Sequence, residues 1–177
     1  SITSTCDQLS PLDWKRIIGV NLLGTIHLST LVFRRMKVQG FGQIVNIASM
    51  FGFLPAPSGI AYSTTKHGLV GFTRTLSVEA QDFGISVHLV CPGFIRTQFF
   101  ENTKYIGVER QAMLGKVPAD LMSAEEAAER ILKGIGRGKK ILVFPFYVRF
   151  LWWLDFVFPW LSEKIWLAEM RKYIKIT

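Results

Sequence analysis

The stretch "GQIVNIASMFGFLPAPSGIAYSTTKHGLVGF", residues 42–72, holds in miniature the pattern that the rest of the chain repeats. Ile44, Val45 and Ile47 form a short, nearly continuous apolar run, as expected of a strand buried on both faces. Gly52, Pro55, Pro57 and Gly59 then mark residues 50–60 as a loop. A long helix is predicted over 61–83, ended by Gly84. The same order follows downstream. "ISVHLVCPG" (85–93) reads as a second buried strand, stopped by Pro92 and Gly93. "SAEEAAERILKGI" (123–135) opens with Ser123 and carries Glu126 three residues later, a capping-box signal for a helix. "KKILVFP" (139–145) reads as a last strand. Upstream, a Ser-Pro start and the spacing of Trp14, Ile17, Ile18, Leu22, Leu23 and Ile26 predict a helix over 11–37. Residues 97–122 show little periodicity and read as a mobile excursion. Alternating strands and helices predict an α/β fold: a doubly wound parallel sheet with helices on both faces.

Length and composition set outer limits. The 177 residues suit one domain with a sizeable core. A hydrophobic content of 49% with 19% charged residues excludes a disordered or fibrous chain. The two cysteines, Cys6 and Cys91, lie far apart without metal-ligand spacing, so reduced thiols and a cytoplasmic setting are expected. Of the net charge of +8, residues 133–177 contribute +6, from nine basic and three acidic side chains. That tail also holds 11 of the 23 aromatic residues, all from Phe144 onward. Without an Arg/Lys-rich recognition helix, nucleic acid is not an expected partner.

In a sheet of this kind, function collects at the carboxyl ends of the strands. Ser49 follows one strand, 92–97 follow the next, and Tyr62 opens the helix between them. Tyr62 and Lys66 stand four apart, on one helical face. A Tyr-x-x-x-Lys arises by chance roughly one time in four in a chain of this composition, so the pair alone decides nothing. With Asn21 in "GVNLLG", Ser49 in "IVNIAS" and "CPGFIRT" at 91–97, however, it forms an ordered set. Ser49 lies 13 residues before Tyr62 (62 − 49).

This set closely resembles the short-chain dehydrogenase/reductase family, over roughly residues 5–144. The resemblance implies a Rossmann-like catalytic domain over 1–144 and hydride transfer between an alcohol or carbonyl and NAD or NADP, with NADP slightly preferred. It implies Tyr62 as the acid/base and Lys66 as the cation that lowers the phenol pKa while bonding the nicotinamide ribose. It implies Ser49 on the substrate oxygen and Asn21 on a water of the proton relay. Pro92 and Gly93 would shape the turn, and the Ile95 backbone and Thr97 hydroxyl would hold the carboxamide. The chemistry suits the residue types. An ammonium about 4 Å away contributes on the order of 4 kcal/mol at an effective dielectric of ~20, enough to move a phenol by about 3 units.

Plainer roles stand beside these. Asn21 could be a tolerated polar residue of an amphipathic helix, Ser49 a strand-end cap and Thr97 a helix N-cap. His27, His67 and His88 match no position of the set, with His67 expected on the helix surface. Cys91 reads as a small buried hydrophobe and Asn46 as structural.

The family's Gly-rich phosphate turn has no counterpart. Neither "GFG" (40–42) nor "GIGRG" (134–138) has strand-turn-helix context. With Ser1 in place of Met, the chain reads as the carboxyl-terminal two-thirds of a longer protein. It is expected to lack proper dinucleotide binding and activity alone, and to expose a sheet edge. The tail, 145–177, is too interrupted for a spanning helix, which needs ~20 apolar residues. It is expected either to lie on a membrane surface, with Lys164, Arg171, Lys172 and Lys175 toward headgroups, or to cap the pocket or an oligomer interface. The expected substrate is a small lipophilic alcohol/carbonyl pair, with a 3-oxoacyl thioester as the alternative. A homodimer or homotetramer is expected through the helices 11–37 and 61–83. The reading from another class is a non-catalytic membrane-surface scaffold or inactive fragment.

Overall fold

The computed structural model describes residues 1–115 and 121–171. In chain order the elements are β1 (Ile2–Ser4), α1 (Pro11–Ile18), a π-helical turn (Gly19–Leu23), α2 (Gly24–Gln39), β2 (Gly42–Ile47), α3 (Ile60–Glu79) and β3 (Ile85–Pro92). There follow β4 (Lys104–Ile106), α4 (Arg110–Leu114), α5 (Ala124–Gly136), β5 (Ile141–Phe144), α6 (Phe146–Val157) and α7 (Pro159–Met170).

Strands β2, β3 and β5 form a parallel sheet in that order. Gly42 pairs with Ile85 at one end and Ile47 with Val90 at the other, while Leu89 to Pro92 pair with Ile141 to Phe144. The central strand is apolar on both sides, and period-two alternation sorts its residues. Ile85, Val87, Leu89 and Cys91 enter the clusters built with α2 and α3. Val90 enters the opposite cluster, with Ala127 of α5 and Leu142. Leu69 and Leu89 are almost completely buried, each stabilising the fold by about 1.5–3 kcal/mol. Helices thus cover both faces of a parallel sheet, as the alternation predicts.

Local chemistry sets the element ends. Both bonds of the Ser123–Glu126 capping box are present at the start of α5. An equivalent box joins Ser10 and Asp13 at α1, where Pro11 follows the cap. The Ser10 hydroxyl bond first, then that of Lys104, holds the Asp13 carboxyl down at about 2. Lys104 Nζ lies 3.0 Å from Asp13 Oδ1 and ties β4 to the start of α1. Helix α3 stops at Glu79 rather than at residue 83, because residues 81–83 tighten into a 3-10 turn before Gly84. Gly84 sits at φ +66°, and a Cβ there would come within 2.4 Å of the Gly40 carbonyl oxygen.

Two strands depart from the sequence reading. β1 and β4 pair in parallel, Ile2 with Lys104 through Ser4 with Ile106, so the predicted excursion over 97–122 is in part ordered sheet and helix. Three-residue strands leave too short a pattern to read. Residues 116–120 of that segment, and Lys172 and Lys175 of the tail, lie outside the described residues.

The predicted first helix is continuous over Pro11–Gln39, and by length and composition alone it could cross a membrane. It lies instead along α3, with Ile17 in one cluster with Ala61 and Tyr62, and Leu22 against Gly68. Its outer side leaves Leu12, Val20, Leu28, Leu31 and Val38 exposed.

A buried polar chain locks α2 and α3 to β2. Ser29 Oγ donates to Asn46 Oδ1 at 3.2 Å, Asn46 Nδ2 donates to Thr73 Oγ1 at 3.1 Å, and Thr73 donates to the Leu69 carbonyl at 2.7 Å. Asn46 is therefore structural. Replacing it with Leu strands the Ser29 hydroxyl and should cost about 1–3 kcal/mol. A lower urea midpoint at unchanged slope is the expected readout, and a variant as stable as the parent would contradict this role.

Candidate active site

Ser49 stands one residue pair beyond β2, where Ala48 N–H still donates to the Val90 carbonyl at 2.7 Å. The Ser49 hydroxyl accepts from Phe51 N–H at 3.3 Å and caps the short turn Met50–Gly52. That turn rests directly on α3. A Cβ on Gly52 would meet Val70 Cγ2 at 2.7 Å and the Lys66 carbonyl oxygen at 2.9 Å. Ser63 Oγ of α3 donates back to the Phe51 carbonyl at 3.0 Å. Glycine at 52 thus lets the strand end and the helix start approach closely, which puts the Ser49 hydroxyl near enough to the Tyr62 phenol to lower its pKa.

One turn further along α3, Lys66 Nζ donates to the Ile47 carbonyl at 3.0 Å and lies 5.6 Å from the Tyr62 ring centroid. Opposite, Asn21 occupies the π turn, where Gly24 N–H reaches back five residues to the Gly19 carbonyl. The wider turn departs from the regular helical ladder at the position that carries the amide, a placement common at functional sites. Gly68 admits Leu22 from that turn, which seats the turn on α3.

Asn21, Ser49, Tyr62, Lys66, Pro92, Gly93, Ile95 and Thr97 all line one cavity of about 620 Å³. The structure therefore brings together every candidate residue of the sequence reading, from four separate segments. The Arg96 N–H, rather than that of Ile95, donates to the Met122 carbonyl at 2.9 Å and bridges the loop to 122. The Thr97 hydroxyl accepts from Phe99 N–H at 3.3 Å, capping a turn rather than an α-helix. Gly93 has a packing role too, since a Cβ would strike Tyr147 Oη at 2.6 Å and Val148 at 2.9 Å.

The electrostatics differ from the expectation. Burial is the largest influence on the Tyr62 phenol and raises its pKa, with the Ser49 hydrogen bond opposing. Burial likewise lowers the Lys66 pKa. Lys66 is not among the groups that set the direction at Tyr62. A low-dielectric wall disfavours phenolate and ammonium alike, which raises the one pKa and lowers the other. Beneath them, burial pushes the Cys91 thiol up to about 12, with Ser49 and Lys66 opposing.

The remaining wall is aromatic. Phe51, Phe94, Phe99, Phe100 and Trp166 line the cavity, joined by Glu169 of α7. Phe99 meets the Tyr62 ring edge-to-face at 5.4 Å, and Trp166 meets Phe51 at 6.3 Å. The sequence reading missed the four phenylalanines. For Phe94, Phe99 and Phe100 the signal was the density of rings in "PGFIRTQFF", in and just after the motif; Phe51 follows Ser49 by two residues. His88 is buried between Gln43 and the Lys139 carbonyl, and exposed His67 bonds the Ser63 carbonyl, both away from this wall.

Fold and site define a doubly wound α/β module with a hydroxyl, a phenol and an amine gathered at the ends of its strands. The chain belongs to the short-chain dehydrogenase family, whose model matches residues 1–105. A 3-oxoacyl-[acyl-carrier-protein] reductase from Buchnera aphidicola subsp. Schizaphis graminum is 34% identical over 125 residues, 70% of this chain and 50% of the relative. A D-beta-hydroxybutyrate dehydrogenase from Rhizobium meliloti is 40% identical over 88 residues, 50% of this chain and 34% of the relative. Among solved structures, a short-chain dehydrogenase from Sphingobium yanoikuyae in complex with NADPH superposes with a TM-score of 0.74 at 25% identity, covering 92% of this chain and 61% of that one. The chain thus spans about half, or less, of the length of these curated relatives.

Two measurements follow from the burial. In this chain Tyr62 should ionise above the ordinary tyrosine range, read as the ultraviolet titration difference from a Tyr62→Phe variant. Lys66→Met should leave that titration nearly in place, whereas a large upward move would restore the cation as its controller. Thiol reagents at neutral pH should label exposed Cys6 in the folded chain and buried Cys91 only after unfolding, as peptide mass analysis would show.

Proposed function

We propose that this chain carries the substrate-facing part of an NAD(P)-dependent oxidoreductase that interconverts a lipophilic alcohol and its carbonyl. The observation that carries the reading is the convergence of Asn21, Ser49, Tyr62 and Lys66 on one cavity.

The residues present fit the nicotinamide end of such a cofactor. Tyr62 and Lys66 stand beside the 92–97 loop on the cavity wall, and the Ile95 amide is not the one used in the bridge to Met122. The glycines at 40–42 and 134–138 both fall where a helix ends and the strand after it begins, the wrong order for a phosphate turn. A bound nicotinamide would supply or accept the hydride. The chain's own groups handle the proton and the oxygen. Ser49 Oγ orients the substrate oxygen, and Tyr62 Oη gives its proton to the oxygen during reduction or takes it during oxidation. Lys66, one helical turn from Tyr62, would bond the ribose and, once solvated or paired, favour the phenolate. Asn21 holds the water through which the proton reaches solvent.

The ring-lined wall supports a lipophilic substrate, since bulky apolar groups gain most where water is excluded. A 3-oxoacyl thioester is the second reading, favoured by the name of the 34%-identical Buchnera relative. Assembly as a homodimer or homotetramer is supported by the exposed aliphatic side chains along α1 and α2 and by Val78 of α3.

In the full-length protein, Tyr62→Phe should lower turnover by a factor on the order of 10²–10⁴ while leaving the fold unchanged. Unchanged turnover would favour the scaffold reading.

A further inference from the structure

We propose that the α6–α7 hairpin is a docking surface for an anionic lipid bilayer. Helix α6 is turned inside out for a helix at a protein surface. Its protein side carries Val148, wholly buried, and Trp152, which stacks on Phe53 with ring centroids 4.4 Å apart. Its outer side repeats Phe146, Phe150, Trp153 and Val157 at i, i+4, i+7 and i+11, one straight stripe on a helix. These are exposed by 79%, 50%, 53% and 43%. Arg149 is exposed next to the stripe.

The patch continues around the turn. Phe158 meets Trp153 edge-to-face at 6.1 Å, and α7 then presents Trp160, Lys164, Leu167 and Arg171 at the same i, i+4, i+7, i+11 spacing. Lys164 Nζ sits 5.4 Å over the Trp160 ring. Asp155 of α6 accepts from Ser162 Oγ of α7 at 2.5 Å, so the two helices are fastened to each other. With Phe156 and Trp160 included, the exposed rings amount to on the order of 600 Å², the upper end of what monomers leave bare.

The charges choose the occupant. Among the described residues, the exposed charges of the hairpin are Arg149, Lys164 and Arg171 against the single carboxylate Glu163. Asp155 is half-buried and accepts from Ser162, so the exposed patch keeps a net positive charge. A second copy on a two-fold axis would bring this patch against itself, cation toward cation. An anionic bilayer supplies the opposite charge together with an apolar layer for the rings, the combination that interfacial helices use. The opposite side of α7 carries Trp166 and Glu169 into the wall of the catalytic cavity. Docking would therefore set that wall next to the lipid. This last point rests on the lipophilic-substrate reading, whereas docking itself does not.

Flotation of the full-length protein tests the surface without reference to turnover. The expected result is co-flotation with vesicles of equal parts phosphatidylglycerol and phosphatidylcholine, and none with phosphatidylcholine alone. Arg149→Gln and Lys164→Gln should each weaken partition about fivefold, and Phe150→Ser with Trp153→Ser should abolish it. If the aromatic double variant fails to fold, the two exposed cation variants carry the test. A protein that stays unbound to both vesicles overturns the proposal. So does self-association in solution that Trp153→Ser removes, since a second copy would then own the stripe.

Discussion

The hydrogen-bonded chain from Ser29 through Asn46 to Thr73 is the constraint on which the site depends. It fixes the separation of α2, β2 and α3 at a depth where water cannot substitute for a lost partner. Ile47, the next residue along β2, gives its carbonyl to Lys66, and Ser49 beyond it meets Tyr62. A shift of β2 by one residue would turn Asn46 to the opposite face and remove both contacts at once. Register of the sheet and geometry of the chemistry are thus one specification. The side chain that enforces it belongs to no reacting group.

Much of this was legible in the sequence because strong local patterns coincide with it. The runs around Ile44 and Val87 could only be buried strands, and Ser123 with Glu126 announced α5. Placing Ser49 and residues 92–97 after strands was enough to put the site at their carboxyl ends. What escaped was of two kinds. Strands β1 and β4 are too short to show a period, and their pairing joins residues some hundred positions apart. The phenylalanine wall escaped because rings in loops carry no periodicity, and only the folded chain sets Phe99 against Tyr62 and Phe94 against Phe51.

The direction of the Tyr62 shift marks where residue types alone mislead. Distance to an ammonium suggests a lowered phenol pKa, but the same packing that brings the pair together strips water from both. Lys66 donates to the Ile47 carbonyl, a neutral oxygen.

Helix α7 has one face in the cavity, through Trp166, and another in solvent, through Lys164 and Arg171. It is fastened to α6 at Ser162, and both faces belong to one helix. Any contact that favours one position of the helix must favour it for the other face as well. With the docking proposed above, occupancy inside and attachment outside would share a single coupling free energy, equal in both directions. A molecule filling the cavity would alter how firmly the outer face holds its partner, by the same factor with which that partner alters the filling.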